Sequence, residues 1–177
     1  MQKINTAYTI QQEKSRLWTK PTDFDKLEMA FTELIKNNII CLHMAGNTKQ
    51  EGQSDCEEAN EMLSEKGFKM NGYCFYHVQD LQRAVSDDIS NLLLGFDSFD
   101  ENDITTVAIG NTIVQTLEKY GFKINWPGTA TQRIEIQHIK WQKLPDGQNW
   151  YLTRPLEILM QQKPIAIPAS KPWWKVW

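Results

Sequence analysis

Ile39-Ile40-Cys41-Leu42-His43-Met44 is a short, nearly continuous apolar run, and it narrows the possible folds sharply. Successive side chains of a strand point to opposite faces, so a strand that is apolar at nearly every position must be covered on both. The neighbouring segments supply the cover. Upstream, Thr22 is placed to cap a helix in which Phe24, Leu27, Phe31, Leu34 and Ile35 recur at three- and four-residue steps. That helix is expected to end at Asn37-Asn38, residues that tolerate a left-handed cap. Downstream, a polar loop from Ala45 to Gln53 leads to a helix predicted to start at Ser54, with Glu57 completing a capping box, and to stop at Gly67. Its stripe of Cys56, Ala59 and Leu63 is narrow, as for a helix on the surface.

The alternation continues. Tyr73 to His77 reads as a second strand, Gln79 to Val85 as a short helix, and Ile89 to Phe96 as a third strand built on Leu92-Leu93-Leu94. Asn102 or Asp103 caps a long helix running to Tyr120. Its apolar residues Ile104, Val107, Ala108, Ile109, Ile113, Val114 and Leu117 are numerous enough for it to be sandwiched. Phe122 to Trp126 and Gln132 to Lys143 read as strands parted by Pro127-Gly128. Pro145-Asp146-Gly147 is a turn, after which Trp150-Tyr151-Leu152 is expected to return antiparallel to Ile134–Trp141. Pro155 suits the first position of a short helix, Leu156 to Gln161. The expected fold is α/β or α+β: a mixed β-sheet flanked by helices, with a C-terminal antiparallel hairpin. One domain covers residues 1–162, with 1–20 left open as an N-terminal arm, and 163–177 forms a Pro/Trp-rich tail.

Several function classes drop out on composition. A formal charge of −3 argues against a dedicated nucleic-acid binder, which needs a strongly basic face. Met1 to Lys20 is polar, without the apolar core of a secretory leader, and no stretch approaches the ~18 apolar residues of a membrane span. Three cysteines, an odd number outside any small disulfide scaffold, suit a reducing compartment. A cytoplasmic protein is expected.

Cys74-Phe75-Tyr76-His77-Val78-Gln79-Asp80-Leu81-Gln82-Arg83-Ala84, then Leu93-Leu94-Gly95-Phe96, Ile109-Gly110 with Leu117 and Gly121, and Trp126-Pro127-Gly128 with Arg133-Ile134 follow one another in a distinctive order. Asn38-Ile39 and Ala45-Gly46-Asn47-Thr48 precede them. Over roughly residues 22–143 this order resembles an uncharacterised bacterial family, a domain of unknown function with the pattern YHxQD, LxFG, WxGxxxxRI. The chain departs from it in reading Leu94-Gly95-Phe96 where Phe-Gly is usual, and in a longer C-terminal end. The resemblance implies a single bacterial domain and carries no activity with it.

The strongest catalytic-looking string is His77, Gln79, Asp80 and Arg83, with Arg133 as a distant partner. Asp80 falls in a first helical turn, where a carboxylate suits the dipole, and His77 at a strand end, where α/β proteins often bind ligands. The plainer explanation, that these residues fix a strand-to-helix turn, accounts for each of them. Cys41, His43, Cys74 and His77 lie on neighbouring strands, but zinc needs about four converging ligands and the chain has no Cys-x-x-Cys pair. Cys56 sits among Asp55, Glu57 and Glu58, whose charges oppose a thiolate. Phosphate-cradling glycine motifs are absent. The acidic loop from Asp97 to Asp103 lacks the glycine and distal glutamate of a calcium site. No metal and no cofactor is expected.

Interaction surfaces remain. Asp97, Asp100, Glu101 and Asp103 surround Phe99 in a loop suited to a basic partner. Trp173, Trp174 and Trp177 give the tail a large aromatic contact area with few rotors to freeze. The expected function is a non-catalytic interaction protein of the bacterial cytosol, of the type that binds and neutralises a cognate toxin as an immunity protein. An enzyme of unrecognised class centred on His77, Asp80 and Arg133 is the alternative. A nucleic-acid accessory protein using Lys140, Trp141, Lys143 and Trp150 as a stacking, basic patch comes third.

Overall fold

The computed structural model describes residues 12–85, 90–148 and 150–162. The tail with Trp173, Trp174 and Trp177, and residues 1–11 of the N-terminal arm, lie outside the described residues. In chain order the elements are α1 (Asp23–Lys36), β1 (Ile39–Leu42), α2 (Lys49–Glu65), β2 (Gly72–Phe75), α3 (Val78–Ala84), β3 (Leu92–Ser98), α4 (Asp103–Lys119), β4 (Lys123–Asn125), β5 (Ile134–Gln137) and α5 (Arg154–Gln162).

The strands form one mixed sheet in the order β1-β2-β3-β5-β4. β1 and β2 are parallel, with Cys41 opposite Cys74, and the remaining pairs are antiparallel. Both parallel strands are buried at every position, as the apolar run at Ile39 requires. Phe75 points to the face covered by α2, since a Cβ added at Gly52 would meet its ring at 2.3 Å. On the other face, a Cβ at Gly72 would meet Ile109 of α4 at 2.3 Å. α1 packs on β1 and on α4, and α5 contacts α1, β1 and α2, lying along the edge that β1 would otherwise leave open.

Local chemistry sets the ends of these elements. The Thr22 hydroxyl accepts from the Asp25 amide at 3.2 Å while the Asp25 carboxylate accepts from the Thr22 amide at 2.8 Å, a reciprocal capping box. Asn38 turns the chain into β1 at φ 63°. α2 starts five residues before the predicted Ser54, because Thr48 accepts from the Glu51 amide at 3.2 Å and the Glu51 carboxylate accepts from the Asn47 amide at 2.6 Å. Both starts carry the same Ser/Thr-x-x-Glu pattern. Only the earlier one places Gly52 inside the helix, where its missing side chain lets α2 approach the ring of Phe75.

The antiparallel hairpin at the end of the sheet is β4–β5. Trp150-Tyr151-Leu152 forms no strand; the chain from 141 to 148 runs without helix or strand, and Trp150 packs its ring against Phe24 and His43. Ile104 also departs from expectation. It belongs to the solvent side of α4, 82% exposed, while Thr106, Ile109, Gly110, Ile113, Thr116 and Leu117 face the core.

Candidate functional site

Three groups of polar or aromatic side chains stand out, at different places on the sheet. The first is the one the sequence singled out. His77 is the N-cap of α3, its Nδ1 accepting from the Asp80 amide at 3.2 Å. An accepting Nδ1 leaves the neutral ring's proton on Nε2, which lies 3.0 Å from Asp80 Oδ2. Arg133, just before β5, closes the group from 53 positions away, donating from Nη1 to both carboxylate oxygens at 3.0 and 3.1 Å. Arg83 approaches to 3.6 Å. Burial pushes the His77 pKa below its ordinary value; the Asp80 charge opposes this, and Arg133 and Arg83 reinforce it.

His77, Asp80 and Arg133 therefore do converge, but they converge on one another. The Asp80 side chain is 1% exposed and its oxygens are taken by His77 and arginine. Arg133 lines an open cavity shared with Lys49, Asn125 and Glu135. Chemically the group ties β2, α3 and the start of β5 together.

The cysteines are core residues. Cys41, Cys56 and Cys74 are all buried. Burial, then Cys74, pushes the Cys41 and Cys56 thiols well above their ordinary range, with Asp55 and Glu57 adding to the effect at Cys56, which disfavours the thiolate that nucleophilic or metal chemistry needs. Among the described residues no three His, Cys, Asp or Glu side chains are gathered to hold a metal ion.

The second group is the acidic loop. Asp97 Oδ1 accepts from the Thr106 hydroxyl at 2.7 Å and from the Ser98 amide at 2.8 Å. Asp100 accepts from the hydroxyls of Ser98 and Thr105 at 2.7 and 2.9 Å, and these bonds hold its carboxyl below the ordinary range. Asn102 caps α4 through the amides of Ile104 and Thr105. Phe99 is half-buried, 5.3 Å from the ring of Tyr73. The apolar side chain presented to solvent among the exposed Asp100, Glu101 and Asp103 is thus Ile104. Phe99 and Asp100 border a cavity of about 550 Å³ with Lys69, Met70 and Asn71, at the amino ends of β1 and β2.

The third group lies at the carboxyl ends of the same two strands, and sequence reasoning missed it. His43, following β1, is 3% exposed, with Nδ1 3.0 Å from the Tyr76 hydroxyl and Nε2 2.9 Å from Glu28. Arg154 of α5 donates to Glu28 from Nη2 at 2.7 Å and Nε at 3.2 Å. Burial opposes ionisation of Glu28, but His43 and Arg154 outweigh it and lower its pKa. Burial, then the Glu28 charge, drives the Tyr76 hydroxyl far above its usual range, so it serves as a donor. Around this row Phe24 meets Trp141 and Trp150 edge-on at 5.3 and 5.1 Å, and Trp141 meets Tyr76 edge-on at 5.9 Å. The rings wall a cavity of about 360 Å³. Trp141, Lys143 and Trp150, expected on an exposed basic patch, turn inward to build it, while Lys140 stays exposed. The one available signal was His43 at the end of an apolar strand; nothing in local spacing announces that Trp141 and Trp150 return to meet Phe24.

No helix among the described residues is long and apolar enough to cross a membrane. Residues 1–144 match a family described as a domain of unknown function, DUF6891. No curated protein and no solved structure matches the chain.

Proposed function

We propose, from the premise that the chain belongs to the DUF6891 family, that it is a non-catalytic interaction protein of the cytoplasm whose acidic loop engages a basic protein partner, as an immunity protein holds a toxin. The observation that carries this reading is the contrast between two polar groups. Asp80 is spent inside the fold on His77 and Arg133, whereas Asp100, Glu101 and Asp103 are exposed in the same loop and helix start as Ile104, which is 82% exposed. An exposed branched apolar residue with exposed carboxylates close by in the chain fits a surface that offers lysine or arginine around a shallow apolar recess. The hydrogen bonds that fix Asp97 and Asp100 preorganise the loop, so little ordering entropy is left to lose on docking. The overall charge of −3 favours the same class of partner.

The test is co-purification from the native host, followed by titration of the purified pair. The expected result is a stoichiometric basic protein that binds the wild type and loses at least about tenfold in affinity to Ile104→Arg and to Glu101→Lys. Recovery of no partner, or of one that binds both variants as tightly as the wild type, rejects the reading.

A further inference from the structure

The aromatic cavity at the carboxyl ends of β1 and β2 already contains a cation, and that cation belongs to the chain. Lys143 Nζ stands 4.9 Å from the ring centroid of Phe24 and 4.9 Å from that of Trp150. Its carboxylate partner is Asp146, which also accepts from the Trp150 indole at 3.2 Å and from the Gln148 amide at 3.0 Å. A second cation, the Arg154 guanidinium, lies 5.2 Å from the Trp150 ring, held there by Glu28. The site is an aromatic box with a carboxylate at its rim, the arrangement that attracts large, weakly hydrated organic cations through the negative faces of the rings.

Its charge is balanced only while Lys143 stays. Glu28 answers Arg154 and Asp146 answers Lys143. With the ammonium withdrawn, Asp146 keeps its bonds to the Trp150 indole and the Gln148 amide but loses its countercharge, and the faces of Phe24 and Trp150 lose their cation. Two features make withdrawal cheap. Lys143 rides on the stretch from 141 to 148, which belongs to no helix or strand, so moving it breaks no sheet hydrogen bond. Asp146 is also held independently of the lysine, by the Gln148 amide at 3.0 Å and the Trp150 indole at 3.2 Å, and these bonds keep the carboxylate at the rim when the lysine leaves.

We propose that this box is a binding site for an organic ammonium cation from outside the chain, and that Lys143 is a built-in plug which such a ligand displaces. Phe24 and Trp150 supply the ring faces, Trp141 and Tyr76 complete the walls, and Asp146 supplies the countercharge. The site is separate from the acidic loop, and its occupation does not depend on a protein partner there.

The experiment is calorimetric titration of the full chain with tetramethylammonium, using tert-butanol as a neutral ligand of similar shape. Lys143→Ala is expected to bind tetramethylammonium about tenfold more tightly than the wild type and about tenfold more tightly than it binds tert-butanol. Adding Asp146→Asn or Trp150→Ala to that variant is expected to abolish the gain. Lys143→Met, which keeps most of the stem and loses the charge, serves as the second unplugged variant, and far-UV circular dichroism checks that each protein is folded. Equal affinity in plugged and unplugged proteins, equal affinity for the neutral ligand, or no binding to either folded unplugged variant overturns the proposal.

Discussion

Replacing Asp80 with alanine removes the carboxylate that His77, Arg133 and Arg83 share, and the structure sets the size of the effect. Breaking a buried ion pair from one side costs about 3–5 kcal/mol when the abandoned charge stays buried. Here the abandoned groups differ in their access to water. The Arg133 side chain is 29% exposed and that of Arg83 58%, so both guanidinium groups can rehydrate by rotating outward. His77, 7% exposed at its side chain, has no such exit and loses the acceptor facing its Nε2. The expected loss is therefore about 2–3 kcal/mol, below the full range for a buried pair. At this chain length that is about 5–10 °C in Tm. Urea unfolding at neutral pH, followed by far-UV circular dichroism, measures it. Combining Asp80→Ala with Arg133→Leu is expected to show a coupling of about 1–2 kcal/mol, since the leucine no longer strands a cation. A single-variant cost below about 1 kcal/mol, or two effects that simply add, would refute the account of this cluster as a structural tie.

Two further outcomes follow from the same coordinates. The folded pKa of His77 is depressed, so the unfolded chain takes up a proton first as pH falls through about 6.5. Stability contributed by His77 is thus intact at neutral pH, declines below that point and levels off once the folded form also protonates. His77→Asn keeps a side chain able to cap α3 and is expected to flatten this part of the pH profile; identical profiles for the two proteins would count against it. Gly52→Ala improves helix propensity by about 1 kcal/mol, yet its methyl group would lie 2.3 Å from the Phe75 ring and 2.9 Å from the Ala45 carbonyl oxygen. Net destabilisation of about 1–3 kcal/mol is expected, partly relieved by Phe75→Leu, and a more stable alanine variant would contradict the packing described for α2.

Much of the layered architecture was legible from local signals. Thr22 and Asn38 bracket α1 because capping is decided within three residues, and the apolar run at Ile39 announced a strand buried on both faces. Competition between equal signals was harder. Thr48 and Ser54 both precede a glutamate by three, and the glycine between them looks like loop chemistry until Phe75 is seen to need the space. At the sites, Asp80 in a first helical turn and His77 at the strand end before it were recognisable as the two sides of one strand-to-helix turn. The Arg133 contact that closes the group spans 53 positions, beyond the reach of any periodicity. Composition misled at Trp150, whose aromatic character suits a strand equally well but is spent on Phe24 and His43. Ile104 fitted a helical stripe by spacing, yet the wide apolar side of α4 held more residues than the sheet could cover.

Helix α1 gives these surfaces a fixed separation. Its first turns supply Phe24 and Glu28 to one end of the sheet, and its last residues lead into Asn37 and Ile39 at the border of the cavity beside Phe99. Fourteen residues at 1.5 Å each make a rod of about 20 Å. A small cation seated at one end and a protein docked at the other would not collide, so both can be present at once. A single partner touching both must itself reach some two nanometres, a span that a folded domain or an extended segment of about six residues covers along the molecule's flank.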